Sequence, residues 1–280
     1  MTQPRILHMK SYLVKECNYQ WPAARPLILR LLTVADKETL SIAEIIRAGR
    51  LFAIKENNIR VTMARLTQAE LVEAVDAAVY RLGPKAKKLG ADVAAWEHAD
   101  KRVTAWDSSW IAVTTGGLPR SDRKILRARM RALSLLGFRE LDAGLYIRPN
   151  NLSGGVEGIR SRLFDLQLEP EAAVFQASHF DKDRQKKSLG LWAQMQLEAH
   201  YKKVSNQLSD WQKTQHSLDN ETALRDAYLL GDFAIRNVVF DPLLPAPLVE
   251  ESARQRFFDT VRQFNAEGRK LWYAFFTKVN

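Results

Sequence analysis

Asn57-Asn58-Ile59-Arg60-Val61-Thr62-Met63-Ala64-Arg65-Leu66 is the stretch on which the fold turns. At 100° per residue, Ile59, Met63 and Leu66 fall on one side of a helix, with Asn57, Asn58, Arg60, Val61, Ala64 and Arg65 on the other. One face packs and the other stays free. Asn pairs bidentately with adenine, Arg with guanine or phosphate, and the small Val61 and Ala64 let a groove come close. On an isolated helix the same face would read as ordinary solvated surface, so its neighbours decide. Upstream, residues 26–32 form an apolar helix ending near Asp36. Ser41 then caps a second helix, with Glu44 at the capping-box offset and a stop at Gly49. The third helix covers about 55–68. Downstream, 71–75 and 78–82 read as strands about an Asp76-Ala77 turn. Three helices followed by a hairpin is the winged-helix order, which makes the free face a DNA-recognition surface.

Outward from this segment the chain keeps changing element type. A further helix is expected over 85–98, and 110–115 reads as a strand. Pro119 opens a helix that stops at Gly137, and 138–141 and 145–148 flank Asp142-Ala143-Gly144 as a hairpin. A helix capped by Ser153 then runs to about Leu168, and 172–179 closes as a strand. The order β-α-β-β-α-β is the ferredoxin-like pattern. Beyond Asp183 the chain reads helical over 189–216, 221–239 and 248–276, with a proline-rich break at 241–247. The expected architecture is α+β and multidomain. It comprises a winged-helix domain with an N-terminal arm over 1–103, a ferredoxin-like domain over 104–182 and a helical domain over 183–280.

The 280 residues, 46% of them hydrophobic, can bury more than one core, so a disordered or low-complexity chain is excluded. Lys plus Arg exceed Asp plus Glu by 10, which favours a polyanionic partner. The excess is spread as +4, +3 and +3 over residues 1–100, 101–183 and 184–280, so folding, not a basic tail, must assemble the binding face. Cys17 is alone, which forbids an internal disulfide and fits a reducing compartment. With no signal-type apolar run and no membrane-length segment, a cytoplasmic protein is expected.

Two further features bear on ligands. In the helix after Pro119, Arg120, Arg123, Lys124, Arg127 and Arg131 share an arc of about 100° opposite Ile125, Leu126, Leu133 and Leu136. This row is either a solubilising surface or the seat of an anion, since like charges at i, i+3 and i+4 repel. The phosphates of a coenzyme A thioester would suit it, as would DNA. Arg129 projects into the apolar face and is expected to snorkel or to be ion-paired. The aromatics Phe257, Phe258, Phe264, Trp272, Tyr273, Phe275 and Phe276 read as core, with an aryl pocket or dimer seam as the other possibility.

An enzyme reading finds no constellation. The histidines at 8, 98, 179, 200 and 216 have no metal-ligand spacing, and no Walker loop, GxGxxG or GxSxG occurs. Gly154-Gly155-Val156-Glu157-Gly158 has the wrong spacing for a dinucleotide. The middle domain resembles a CRISPR-adaptation nuclease fold whose members carry a metal-binding Asp at the end of the first strand. Here that strand ends Val113-Thr114-Thr115, and Asp107 precedes it. A metal-dependent nucleic-acid-processing enzyme and an acyl-CoA sensor without DNA affinity are the alternative functions.

Residues 59–66 also resemble the recognition-helix segment of the PaaX family, transcriptional repressors of phenylacetate catabolism and their relatives. Two further stretches match in order. Leu136-Gly137-Phe138-Arg139-Glu140-Leu141-Asp142-Ala143-Gly144-Leu145-Tyr146-Ile147-Arg148-Pro149 is similar to the family's central hairpin, and Asp241-Pro242-Leu243-Leu244-Pro245 to its carboxy-terminal signature. The resemblance implies a homodimeric winged-helix repressor with a ferredoxin-like middle domain and a helical end domain, released from operator DNA by an aryl-acetyl-CoA thioester; from the missing motifs, no cofactor, metal or catalytic residue is expected. It places Arg60 and Arg65 at the matched arginines of the recognition helix. Where the family has glycine and an aromatic after that helix, this chain has Ala69, Glu70 and Leu71. Where the family's wing tip is Gly-Arg, the turn here is Asp76-Ala77-Ala78. An acidic tip is repelled by phosphate, so Arg81, Lys85, Lys87 and Lys88 are expected to grip the backbone instead. The row Arg120, Arg123, Lys124, Arg127 and Arg131 is the expected effector site.

Overall fold

The computed structural model describes residues 21–34, 39–87, 95–119 and 121–277, which divide into two compact units. The first holds the chain through Ala95 together with Asn206–Ile235 and the residues from Thr260 onward; the second holds Trp96–Ser205 and Arg236–Asp259. Lys88, Arg120, Cys17 and His8 lie outside the described residues.

In the first unit, helix α1 (Ala24–Val34) is followed by strand β1 (Thr39–Ser41), helices α2 (Ile42–Leu51) and α3 (Glu56–Gln68), and strands β2 (Val72–Asp76) and β3 (Val79–Leu82). The three strands form an antiparallel sheet in the order β1-β3-β2. The capping box is complete: Ser41 Oγ accepts from the Glu44 N–H, and Glu44 accepts from the Ser41 N–H at 2.6 Å. Sequence reading has no β1, because three residues are too short to carry a period and the strand exists only by pairing with Val79–Arg81. Leu27, Ile28, Leu31, Ile45 and Ile59 are fully buried at the centre of this bundle.

Three described positions of this unit use the left-handed backbone without glycine, the first being Ala53 (φ +54°) between α2 and α3. Glu70 has φ +57° directly after α3, and Ala78 has φ +59° at the β2–β3 turn. A Cβ disfavours this region, so each of these positions carries steric strain. Gly83 is required for another reason. Its N–H donates to the Leu71 carbonyl at 2.9 Å, and a Cβ there would collide with the Glu70 backbone. From the carboxy-terminal region, Trp211 packs on Phe264 and Tyr228 on Phe52. Arg47 of α2 donates to the Phe275 carbonyl at 2.7 Å and lies 4.5 Å over the Phe275 ring.

Of the helix expected over 85–98, residues 84–87 are helical and Ala95–Arg102 is a 3-10 segment interrupted at His98, while 88–94 lie outside the described residues. The second unit then begins its sheet. It contains β4 (Trp110–Thr114), α4 (Arg123–Leu135), β5 (Arg139–Asp142), β6 (Leu145–Pro149), α5 (Gly155–Asp165) and β7 (Ala173–Ala177), followed by α6 (Lys182–Gly190). The sheet runs β5-β6-β4-β7 with every neighbour antiparallel. Helix α4 starts at Arg123, not beside Pro119, because Asp122 caps it by accepting from the Lys124 and Ile125 N–H groups. Gly154, with φ +86°, is the N-cap of α5 in place of Ser153. The helix expected over 189–216 is two, α6 and α7 (Leu197–Thr214), separated by a break where Gln196 has φ +45°. Helices α8 (Asn220–Val239) and α9 (Glu251–Thr277) complete the chain; α7, α8 and α9 each contribute residues to both units.

The two downstream family-like motifs meet inside the second unit. Arg148 is fully buried and donates to the carbonyls of Leu136 (2.5 Å) and Pro149 (3.0 Å) and to Asn151 Oδ1 (3.0 Å). Burial pushes its guanidinium down to about 9. Asn151 in turn donates to the Leu243 carbonyl at 2.7 Å. Gly137 has φ +75° and no room for a Cβ, which would lie 2.8 Å from Pro242. Asp241 accepts from the Leu243 N–H at 2.8 Å and from the Tyr201 hydroxyl, while Arg254 donates to the Leu244 carbonyl. Burial raises the Asp241 carboxyl above its usual range. These motifs therefore build core.

Candidate nucleic-acid interface

Helix α3 separates into the two faces its sequence implies. Ile59, Met63 and Leu66 are buried; Asn57, Asn58, Arg60, Val61, Ala64 and Arg65 are all exposed. Val61 is 41% exposed, which matters because an apolar side chain is left at the centre of a polar face with no core to join. The small side chains at 61 and 64 leave Asn57, Asn58, Arg60 and Arg65 standing clear of the helix surface.

The cations differ in how free they are. Arg60 donates through Nε (2.9 Å) and Nη2 (2.8 Å) to Glu56 Oε1, one turn earlier on the same helix. Arg81 is paired with Glu73 across the β2–β3 ladder at 2.5 Å, and Lys85 with Glu70 at 3.0 Å. The side chains of Arg65 and Lys87 are exposed, with no ion pair or hydrogen bond among the described residues. Asn58 accepts from Thr62 at 3.4 Å. At the hairpin tip Asp76 Oδ1 accepts from the Ala77 N–H at 2.6 Å, so this carboxylate stays at the turn. Glu56, Glu70 and Glu73 are the site residues that sequence reading missed. Glu56 was legible from its i,i+4 spacing to Arg60. Glu73 was not, since it meets Arg81 only through the strand register.

In the second unit, α4 presents Arg123, Lys124, Arg127 and Arg131 as exposed side chains. Ile125, expected on the packed side, is 44% exposed; the packed side is carried by Arg129, Ala132, Leu133 and Leu136. Arg129 is 2% exposed and binds Glu169 with both Nε and Nη2, while Nη2 also donates to the Pro119 carbonyl at 2.9 Å. The Arg129 hydrogen bond holds the Glu169 carboxyl below its ordinary range. Lys187 and Arg184 of α6 both reach Asp142 at the β5–β6 turn, at 2.8 and 3.2 Å, and keep that carboxyl low as well.

Asp107 accepts from the N–H (2.9 Å) and hydroxyl (2.6 Å) of Ser109, and these bonds hold its carboxyl low. Among the described residues, no group of three or more His, Cys, Asp or Glu side chains is placed to share a metal ion. Of the carboxy-terminal aromatics, Phe257, Phe258, Phe264 and Trp272 are buried and Tyr273 is 51% exposed. No helix among the described residues is long and apolar enough to cross a membrane.

Comparison with known proteins gives the following. The chain matches the model of the PaaX protein central Cas2-like domain over residues 103–189 and that of the PaaX-like protein C-terminal domain over residues 192–274. It is similar in fold to the uncharacterized protein Rv0674 from Mycobacterium tuberculosis, with a TM-score of 0.59 and 21% identity, covering 89% of this chain and 98% of that one. No curated protein matches this chain significantly.

Proposed function

The chain belongs to the PaaX family of transcriptional regulators, and on that premise we propose that it is a DNA-binding repressor of a catabolic operon, acting in the cytoplasm as a homodimer. The observation that carries this reading is the exposed Asn57, Asn58, Arg60, Val61, Ala64 and Arg65 face over the buried Ile59, Met63 and Leu66. The order α1-β1-α2-α3-β2-β3 with its β1-β3-β2 sheet supports reading the first unit as a winged helix, with α3 in the major groove. The β5-β6-β4-β7 sheet supports a ferredoxin-like reading of the second.

In this mechanism α3 reads base edges while Arg81, Lys85, Lys87 and Lys88 contact phosphate, supplying affinity without sequence information. An aryl-acetyl-CoA thioester releases the repressor by binding better to a dimer geometry that no longer spans both half-sites. It shifts the population only by the ratio of its affinities for the two states. No catalytic step is assigned.

A mobility-shift titration at fixed salt, using the duplex upstream of the gene itself, tests the reading. Arg65→Ala should weaken binding by about 1–3 kcal/mol, and a thioester should release the duplex where its free acid does not. Wild-type affinity equal for that duplex and a scrambled one, with Arg65→Ala within about threefold of wild type, would rule the reading out.

A further inference from the structure

Helix α4 carries five cations and no acidic residue. Arg129 is accounted for by its buried pair with Glu169. Arg123, Lys124, Arg127 and Arg131 are exposed and have no ion pair or hydrogen-bond partner for their side chains among the described residues. Elsewhere in this unit other cations are paired: Arg160 with Glu157, Arg162 with Asp165, and Arg184 and Lys187 with Asp142. Asp122 is turned to the backbone as the helix cap.

Their placement runs against the stability of the helix. Arg123 and Lys124 stand in its first turn, where the macrodipole disfavours positive charge, and the last turn holds no basic residue. Arg123, Arg127 and Arg131 are one i,i+4 step apart and repel along the row. An anion laid on this face relieves both penalties at once. The shape of the face selects which anion. Small ligands are held in concave, largely enclosed sites, whereas this is an open ridge whose arginines advance by about 6 Å per step. Such a ridge fits an extended polyanion with charges in series.

We propose that the α4 row is a second nucleic-acid contact of this protein, in which Arg123, Arg127 and Arg131 grip successive phosphates of one DNA strand with Lys124 beside them. This rests on the DNA-binding reading above and replaces the expectation that the row is the effector site. The row adds affinity for any duplex and carries no sequence preference.

The test is a salt titration of full-length protein on two labelled duplexes, the upstream region of the gene and a scrambled sequence of equal length. Arg127→Ala with Arg131→Ala should flatten the plot of log K against log salt by about 1.8 on both duplexes, since each lost phosphate contact removes about 0.9. The loss relative to wild type should therefore shrink about tenfold between ~50 and ~200 mM salt. Arg127→Lys with Arg131→Lys should keep the wild-type slope and melting temperature, and the double alanine variant should melt no lower than wild type, since it relieves the repulsion along the row. An unchanged slope in the double alanine variant, while Arg65→Ala still weakens binding, would overturn the α4 contact and leave the α3 reading standing. Absence of duplex affinity in the wild type at low salt would overturn both. Retained duplex binding with loss of thermal stabilisation by phenylacetyl-CoA would assign the row to a small anion and refute the proposal.

Discussion

Glu56→Gln should tighten DNA binding. Glu56 stands in the first turn of α3 and holds Arg60 through two N–H donors at 2.9 and 2.8 Å. Arg50 approaches the same carboxylate at 3.8 Å. For Arg60 to reach a base or phosphate, that pair must open, which costs about 0.3–0.5 kcal/mol for an exposed i,i+4 pair. The stranded carboxylate then faces the duplex. One unit charge about 8 Å from a phosphate in water-like surroundings contributes about 0.5 kcal/mol of repulsion. Together these make about 1 kcal/mol, or roughly fivefold in Kd, at ~50 mM salt, shrinking as screening shortens to about 10 Å near 0.1 M. The same substitution removes a favourable charge from the helix N-terminus and should lower thermal stability slightly. Affinity and stability therefore move in opposite directions, which separates this effect from a folding artefact. The assay is a fluorescence-anisotropy titration of wild type, Glu56→Gln, Arg60→Ala and the double variant. In the absence of Arg60, the pair-opening share of the gain, about 0.3–0.5 kcal/mol, should vanish while the repulsion from the carboxylate remains. Weaker binding by Glu56→Gln would refute the reasoning, because it would make the carboxylate a contact or a support for Arg60 instead of a competitor.

Other outcomes follow from the same geometry. Arg129→Met should destabilise the protein by about 3–5 kcal/mol in denaturant unfolding, because it strips a buried pair of one partner; replacing Glu169 as well should recover much of the loss. The Glu169 carboxyl is depressed in the folded state, so the pair's contribution is full above the unfolded value near ~4.3 and is lost as pH falls through the lower folded value. Wild-type and Arg129→Met unfolding curves should accordingly converge in acid, and a constant gap down to low pH would refute the pairing. Ala78→Gly should stabilise by about 0.5–1 kcal/mol, since relief of the left-handed strain exceeds glycine's added chain entropy. Gly83→Ala should destabilise by more than about 2 kcal/mol because the obstacle is the Glu70 backbone; a neutral result in a thermal melt would show that the turn can move.

Much of the architecture was legible from local pattern. The two faces of α3, the Ser41–Glu44 capping box, the β5–β6 hairpin about Asp142-Ala143-Gly144 and the alternation from β4 to β7 all rest on periods or offsets of a few residues. Failures occurred where local signals compete. Pro119 looked like a helix start, yet Asp122 offers the better cap. Ser153 precedes a glycine that takes the left-handed cap conformation itself. The long helix expected after Leu189 divides at Gln196, a residue with no breaker chemistry. Ile125 projects between Ala132 and Leu136 on the packed side, yet it stands in the first turn of α4 and is left exposed.

For the interface, residue order alone established which side chains share the free face of α3, because a helix repeats every 3.6 residues whatever surrounds it. It also established the row Arg123, Arg127, Arg131 on α4. Folding settled which of those charges are available. Arg81 meets Glu73 through strand register, and Arg129 meets Glu169 forty positions away. Arg148 is fixed by carbonyls on either side of it and in the 241–245 segment. Pairing partners of this kind come from contacts distant in sequence, and charge is neutralised by proximity in space. A count of Lys and Arg therefore points to a polyanion, while the choice of Arg65 and the α4 row as its free cations belongs to the folded chain.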